Sequence, residues 1–466
     1  MWWLWVACAS DPAVPTAGLD DDGVESTVVH EYPAPYRDRG GDVVLIVLDT
    51  LRADRLSQWG YALDTSPGLA KLAAQSVRFS QAWAPAPWTV PSTTSILTGQ
   101  HPLRHQLRRP GDVLPEAVVT LPEHLRDAGW RTAAWSYNVS IAPKHRHDQG
   151  FDAFTSNTGK VLGYPHAGRM TTAAGAWLVG SPTPSFLYLQ PMNCHGPYKV
   201  PKAHRDALLG QAPTEGFAYY KGPMQRILKG GRLAARDKVT DLYLQSLREQ
   251  YDTAVRYETD RIGELVDALD TAGRLDGALV IVTADHGEEL FEHGGFSHGY
   301  SLHREVLHVP LLVKFPGQTE AWVVDEPVST VDVTPTVLDV LGLPVPTGDG
   351  RSLRPYATAG ATLPLRPLLF DVFWPKRIVA QAVLVGTEKY VHINHDYQGR
   401  EDLEELYDLA ADPAELDDVS GVRQTRLFEL RTLTEALAAE LTGTAAPENV
   451  LTDMDRSQLE ALGYLE

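Results

Sequence analysis

Three apolar segments, each followed by polar side chains, constrain the fold of this chain more than any other feature of its sequence. The segments are residues 42–48, 185–190 and 278–284. Continuous apolar runs of this length are typical of strands buried on both faces of a parallel sheet. Ligands of such sheets bind at the carboxyl ends of the strands. Because Asp49, His195, Asp285 and His286 follow these segments, we expect them to lie at the same edge of one sheet.

A hydroxyl-rich segment, residues 88–99, adds a candidate nucleophile. Pro91 is suited to the first turn of a helix, where the free N–H groups favour anions. Thr89 is therefore predicted to lie beside an anion pocket. A hydroxyl is a weak nucleophile at neutral pH and needs a base or a metal to activate it. The alternative interpretation is a plain helix cap followed by a Ser/Thr-rich loop.

Length and charge limit the classes of protein and partner. A chain of 466 residues fits one large domain and a smaller one. A net charge of -19, with no run of Lys or Arg, argues against a nucleic-acid partner. An anionic substrate would have to be attracted by a local metal ion and a few side chains.

The N-terminus resembles a short bacterial lipoprotein signal. Residues 1–7 are mostly apolar and precede Cys8, whereas residues 9–40 are polar and acidic. We expect residues 1–8 to be the signal, Cys8 to carry a lipid anchor and residues 9–40 to form a flexible tether. The protein would then be exported to the periplasm or outer membrane. A mis-assigned start or an ordinary disordered terminus is the alternative.

The segment that contains Thr89 resembles the nucleophile motif of the sulfatase family, Cys or Ser followed by x-Pro-Ser-Arg and later by Thr-Gly. Thr89 stands in place of the Cys or Ser, and Thr93 stands in place of the Arg. In sulfatases the Cys or Ser is oxidised to formylglycine, whereas oxidation of a threonine would give a ketone. The resemblance therefore implies that Thr89 acts as an unmodified hydroxyl, as in related phosphotransferases and phosphodiesterases of the alkaline phosphatase superfamily.

Further motifs resemble the same family in the same order along the chain. They are the three strand-end segments, residues 332–339 with 350–353, and residues 406–415. The resemblance implies an α/β fold, an alkaline-phosphatase-like sandwich with a central, mostly parallel sheet and a small C-terminal α+β subdomain. We place the catalytic domain at residues 41–360 and the subdomain at 361–466.

The resemblance also implies a site for one divalent metal ion. Asp49, Asp285 and His286 match the metal-ligand positions of the family, and Thr89 would complete the set. Calcium is the metal that the family resemblance implies. The nitrogen ligand His286, and Thr50 where many sulfatases have a second Asp, favour zinc or manganese.

Histidines supply the candidate proton donors. His195 occupies the His-x-Pro position of the family and would bind the anion or protonate the leaving group. His298 lies near the position of a substrate-binding Lys in sulfatases and is a second catalytic candidate, with His293 a weaker one. The Lys and His that hold sulfate in many sulfatases are missing, and Asn138 or Tyr137 would have to replace them.

Two other charged residues are expected to lie outside the chemistry. Glu258 falls within the helical spacing that runs from Tyr251 to Leu269, so we expect a core or edge role for it. Lys314 lies inside an apolar run and is expected to point away from the site.

Together these features predict a metal-dependent hydrolase of sulfate or phosphate esters that uses Thr89 as its nucleophile. The expected partner is an anionic ester, such as a sulfated glycan or a phospho-ester, and no nucleic acid. One alternative is a phosphodiesterase or phosphotransferase with a phosphothreonine intermediate. Another is a catalytically silent relative that binds a glycan.

Overall fold

The computed structural model describes residues 25–29, 41–157, 166–182, 184–201, 204, 205, 208, 239–374, 378–396 and 401–443. The strands are β1 (Glu25–Val29), β2 (Val43–Leu48), β3 (Val77–Trp83), β4 (Arg131–Ser136), β5 (Ala153–Asn157), β6 (Ser185–Gln190), β7 (Leu279–Ala284), β8 (Glu289–Leu290), β9 (Phe296–Ser297), β10 (His308–Lys314), β11 (Trp322–Val324), β12 (Val328–Ser329), β13 (Leu368–Trp374), β14 (Ile378–Val385), β15 (Glu388–Asp396) and β16 (Glu401–Asp408). The α-helices are α1 (Ala70–Ala73), α2 (Thr89–Thr98), α3 (Pro102–His105), α4 (Leu121–Ala128), α5 (His166–Gly180), α6 (Asp241–Thr271), α7 (Arg304–Leu307), α8 (Val333–Val340) and α9 (Gln424–Leu441).

A ten-stranded mixed sheet forms the centre of the large domain. Its order is β1-β5-β4-β6-β2-β7-β10-β3-β11, and β12 pairs with β3. Strands β5, β4, β6, β2 and β7 are parallel, while β10 runs antiparallel to both of its neighbours. This arrangement confirms the predicted α/β sandwich with a mostly parallel centre.

Strand β2 is apolar at every position because both of its faces are buried. Val44, Ile46 and Leu48 belong to the core on the side of α5 and α6. The alternate residues Val43 and Val47 belong to the core on the side of α2, α4 and α8. Since successive side chains of a strand point to opposite faces, a strand covered on both sides needs an apolar residue at every position.

A second sheet follows the large domain. Strands β13, β14, β15 and β16 are antiparallel in that order, and α9 packs against them. Side chains of β13 and β14 pack on Trp83, Trp88 and Val306 of the large domain. The expected boundary between residues 360 and 361 falls before Leu368, where this second sheet begins.

The expected N-terminal tether needs a correction at five positions. Residues Glu25–Val29 form β1, an edge strand that pairs antiparallel with β5. Backbone hydrogen bonds to β5 attach this segment to the edge of the large sheet. Cys8, the proposed signal and the rest of the segment at 9–40 lie outside the described residues. None of the described helices has the length and apolar character that crossing a membrane requires.

A buried ion pair joins the second sheet to the segment that precedes α9. Lys389 Nζ lies 2.8 Å from Glu415 Oε1, and both side chains are fully buried. Glu415 also accepts hydrogen bonds from His303 Nδ1 and from the backbone N–H of Arg304, each at 3.3 Å. Burial alone would raise the pKa of Glu415, but Lys389 and His303 lower it to about 2.

We expect Lys389→Met to lower the free energy of unfolding by about 3–5 kcal/mol, because it leaves the Glu415 charge buried without its main partner. Urea unfolding at pH 7 measures this difference. The charge of Glu415 stabilises the folded state fully above its ordinary pKa of 4.5, and this stabilisation is lost as the pH falls towards its pKa of about 2 in the folded protein. The difference in unfolding free energy between the variant and the wild type should therefore shrink in acid. Arg354→Gln removes an exposed ion pair with Asp339 and is a control expected to change little. Equal effects of the two variants would contradict the prediction.

Candidate active site

The polar residues at three strand ends meet, as the sequence predicts. Strand β2 pairs with β7 in a register that places Leu48 beside Ala284, so Asp49 and Asp285 follow adjacent strand ends. Ligand atoms of Asp49, Asp285 and His286 all lie within 4.8 Å of one another, and the three side chains are buried.

Hydrogen bonds hold the two carboxylates in place. Asp285 Oδ1 accepts from the backbone N–H groups of Thr50, at 3.3 Å, and His286, at 2.9 Å. Gln190 Nε2 lies 3.4 Å from both Asp49 Oδ2 and Asp285 Oδ2. Gln190 ends strand β6, so its amide bridges the carboxylates from the third strand end.

The group of three ligands suits a divalent metal ion. Asp49 Oδ1 is buried and has no hydrogen-bond partner among the described residues. Burial raises the pKa of both Asp49 and Asp285, and the charge of Asp49 raises that of Asp285 further. His286 Nδ1 donates to the Gly287 carbonyl at 2.9 Å, which leaves Nε2 as the ligand nitrogen. Two desolvated carboxylates and an imidazole lone pair are groups that a bound cation satisfies.

Thr89 lies against this group at the first residue of α2. Its Oγ1 is 3.1 Å from His286 Nε2 and 3.3 Å from Asn138 Nδ2. Asn138 Nδ2 also donates to Asp49 Oδ2 at 2.7 Å. Asn138 therefore connects the hydroxyl with a ligand carboxylate. Thr93, one helical turn later, places its hydroxyl 3.4 Å from the Gln190 amide.

Three imidazoles form a row beside the ligands. The ring of His298 is 4.4 Å from that of His286 and 5.0 Å from that of His195. His298 Nδ1 lies 3.1 Å from Glu288 Oε1, and His195 Nδ1 donates to the Gly196 carbonyl at 2.8 Å. Both rings therefore present Nε2 as the second nitrogen, which can contact a substrate. Burial lowers the pKa of His286 well below its ordinary range, and His298 lowers it further.

The second sheet reaches the site through one aromatic side chain. Trp374, at the end of β13, packs against Trp88 with ring centroids 5.3 Å apart. Gly299, next to His298, donates its N–H to the Pro87 carbonyl at 2.9 Å. A Cβ at Gly299 would lie 3.0 Å from the Trp374 ring, and its φ of +75° favours glycine. The tryptophan pair thus fixes the loops that carry the nucleophile candidate and one imidazole.

Several other residues considered from the sequence lie outside this arrangement. His293 Nε2 donates to the Glu415 carbonyl at 3.0 Å and so contacts the segment after the second sheet. Lys314 Nζ donates to the Asp276 carbonyl at 2.9 Å, and Lys314 pairs with Val280 near the start of β7, whereas the site follows the end of that strand. Tyr137 lies in the core on the side of α5 and α6.

The residues after α2 are structural. Arg104 Nε donates to both carboxylate oxygens of Asp349, at 2.8 and 2.9 Å. His105 Nε2 donates to the Pro91 carbonyl at 3.2 Å. Burial lowers the pKa of His105 to about 3, so this ring supports the first turn of α2 as a neutral side chain.

Two members of the site, Gln190 and Glu288, are not predicted from the sequence. Each had a weak signal. Gln190 is a polar residue that ends an otherwise apolar strand, and Glu288 closes the segment Asp285-His286-Gly287-Glu288. Both are fully buried in the structure. Asn138, considered only as a substitute for missing cations, contacts both Thr89 and Asp49.

Known sequences match most of this chain. A family model described as Sulfatase matches residues 41–343, and one described as the C-terminal region of N-sulphoglucosamine sulphohydrolase matches residues 291–442. Arylsulfatase K from Bos taurus is 25% identical over 468 residues, covering 90% of this chain and 84% of the relative. Choline-sulfatase from Rhizobium meliloti (strain 1021) is 25% identical over 442 residues, covering 81% of this chain and 82% of the relative.

Solved structures share the fold. The phosphonate monoester hydrolase of Agrobacterium radiobacter superposes with a TM-score of 0.66 at 19% identity, covering 86% of this chain and 96% of its own. A structure determined in complex with D-glucosamine-2-N,6-O-disulfate gives a TM-score of 0.68 at 19% identity, covering 86% and 98%.

Proposed function

The chain belongs to the sulfatase family, and on this premise we propose that it is a metal-dependent hydrolase of sulfate or phosphate esters with Thr89 as nucleophile. One observation carries the proposal: Thr89 Oγ1 lies 3.1 Å from His286 Nε2, beside two buried carboxylates and at the start of a helix. The N-terminal N–H groups of α2 supply partial positive charge for an anion held over Thr89.

Asp49, Asp285, His286 and Thr89 would hold one divalent ion. When bound, such an ion supplies Lewis-acid chemistry, which lowers the pKa of a hydroxyl and offsets charge on the anion under attack. Thr50 Oγ1 donates to the Asp49 carbonyl at 2.7 Å, so its hydroxyl is turned to the backbone. Two carboxylates, one imidazole and one hydroxyl suit zinc or manganese better than calcium, which prefers six to eight oxygen ligands.

The reaction divides into two displacements at sulfur or phosphorus. In the first, Thr89 Oγ1 releases its proton to solvent and bonds to the central atom. The bond to the leaving oxygen breaks, and that oxygen keeps the electron pair. His195 Nε2 donates a proton to this oxygen, and His298 binds the anion beside it. In the second, water attacks the central atom, the bond to Oγ1 breaks and Oγ1 regains a proton.

Phosphoryl transfer to water or to a second alcohol is a second candidate function. Thr89 has one hydroxyl, whereas the hydrate of formylglycine has two on the same carbon. An ester on Thr89 therefore has no neighbouring hydroxyl to expel it, and an external acceptor is required. A phosphothreonine opened by water or by a second alcohol meets this requirement. The phosphonate monoester hydrolase that shares this fold supports including phosphorus esters.

A panel of substrates tests the proposal. Metal-loaded protein would be assayed with 4-nitrophenyl sulfate, bis(4-nitrophenyl) phosphate, 4-nitrophenyl phenylphosphonate and D-glucosamine-2-N,6-O-disulfate. We expect turnover of at least one ester, of order 1 s⁻¹ or faster, that a chelator removes and that added zinc or manganese restores. Product formed with added alcohol as acceptor would distinguish transfer from hydrolysis. Binding of the sulfated sugar without turnover of any ester would instead support the silent relative.

A further inference from the structure

A fully buried carboxyl group lies beneath the loop that carries His195. Glu258 is on α6, and its Oε2 accepts a hydrogen bond from the backbone N–H of Cys194 at 2.8 Å. The backbone N–H of Asn193 is also bonded to this carboxyl group. Glu258 therefore holds the two residues directly before His195.

Other contacts of the loop make it a single compact turn. The Asn193 side chain accepts from the backbone N–H of Ala167 at 3.1 Å. The N–H of His195 donates to the Met192 carbonyl at 3.1 Å, and the N–H of Tyr198 donates to the His195 carbonyl at 3.2 Å. Because these hydrogen bonds set the orientation of the turn, a shift of the Asn193–Cys194 backbone also moves the His195 imidazole.

Burial of the Glu258 carboxyl group in the core is energetically unfavourable. Glu258 is 0% exposed, and burial raises its pKa to about 8. Burial also raises the pKa of the neighbouring Cys194 thiol, which therefore remains protonated. An apolar side chain at position 258 would avoid the desolvation cost, so packing alone does not account for a glutamate.

We propose that Glu258 is a positioning residue for the reaction, because it binds the Asn193–Cys194 backbone and so keeps the His195 imidazole aligned with the leaving oxygen. The inference rests on the proposed function, in which His195 is the proton donor. Glu258 is buried, as the helical spacing predicts, and the inference adds a role in the reaction to that position.

Leaving-group dependence tests this role. An ester with a 4-nitrophenolate leaving group needs little protonation, whereas an alkyl ester of the same acid needs a proton donor. We expect Glu258→Met, which has no oxygen to accept the backbone N–H groups, to lower kcat about 10–100-fold for the alkyl ester, with KM nearly unchanged, and less than about threefold for the nitrophenyl ester. Glu258→Gln keeps an acceptor oxygen at this position and should retain most of the activity towards both esters. His195→Ala should show the same selective loss as Glu258→Met, only larger.

Thr259→Val is the matched control. Thr259 is the next residue of α6, is also fully buried, and donates to the Thr65 carbonyl at 3.0 Å, away from the His195 loop. Its replacement should affect both esters equally. If Glu258→Met behaves like Thr259→Val while His195→Ala remains selective, the inference is overturned and the proposed function stands. If His195→Ala is itself unselective, the proton-donor assignment is wrong and the inference falls with it.

Discussion

Replacement of Thr89 by alanine is expected to lower kcat by about 10⁴-fold or more, because the variant lacks the oxygen that we propose forms the covalent intermediate. The Oγ1 atom lies 3.1 Å from His286 Nε2 and 3.3 Å from Asn138 Nδ2, and the alanine variant removes this hydroxyl from the site. Steady-state assays of the best ester in the substrate panel measure the loss. Thr89→Ser keeps the oxygen and should retain measurable turnover.

Two further measurements make this prediction specific. Protein quenched with substrate should carry a sulfate- or phosphate-sized mass on the peptide that contains Thr89. Thr98→Ala is the matched control, since Thr98 ends the same helix, donates to the Thr94 carbonyl at 2.7 Å and accepts from the Gln100 N–H at 3.2 Å. Its turnover should stay close to wild type. An unmodified peptide together with wild-type rates in Thr89→Ala would favour direct attack by water.

Loss of either ligand carboxylate is expected to remove both metal and activity. Asp49→Asn and Asp285→Asn each replace an anionic ligand by a neutral amide inside a fully buried group, which weakens cation binding strongly. We expect less than about a tenth of the wild-type metal content after dialysis, and turnover at the level of Thr89→Ala. Elemental analysis of the purified proteins measures the metal content, and the ester assay measures the turnover.

Asp252→Asn is the control for this pair. Asp252 is also a buried carboxylate, but it accepts from the Tyr61 hydroxyl at 2.7 Å and lies beside Arg55, outside the ligand group. This variant should keep its metal content even if its stability falls. Full metal occupancy in both Asp49→Asn and Asp285→Asn would show that the ligands have been assigned wrongly.

The part of the site that follows directly from strand ends was predictable. A strand covered on both faces must be apolar at every position, so the first polar residue after it stands out, as Asp49 and Asp285 do. Thr89 was predictable for a related reason, because Pro91 indicates a helix start. These signals are local, and each depends on a few consecutive residues.

Gln190 and Glu288 were missed because their roles depend on which strands are neighbours. A glutamine at the end of β6 bridges two carboxylates only because β2 lies between β6 and β7. Glu288 contacts His298 across ten positions of chain, through a turn that the spacing of residues does not specify. The strand at Glu25–Val29 was missed for a similar reason, since a short edge strand without a continuous apolar run is defined by its partner β5.

The sequence by itself indicated the family through the order of its motifs. It also predicted the mostly parallel sheet and the residues at its carboxyl edge, because a strand buried on both faces must be apolar at every position. Tertiary structure alone decided that Asn138 contacts Thr89, that three imidazoles stand in a row, and that Glu258 holds the turn before His195. Helical spacing places Glu258 on the core side of α6, but it does not reveal which loop lies above it. That contact exists because α6 packs beneath the carboxyl edge of the sheet, an arrangement set by long-range packing.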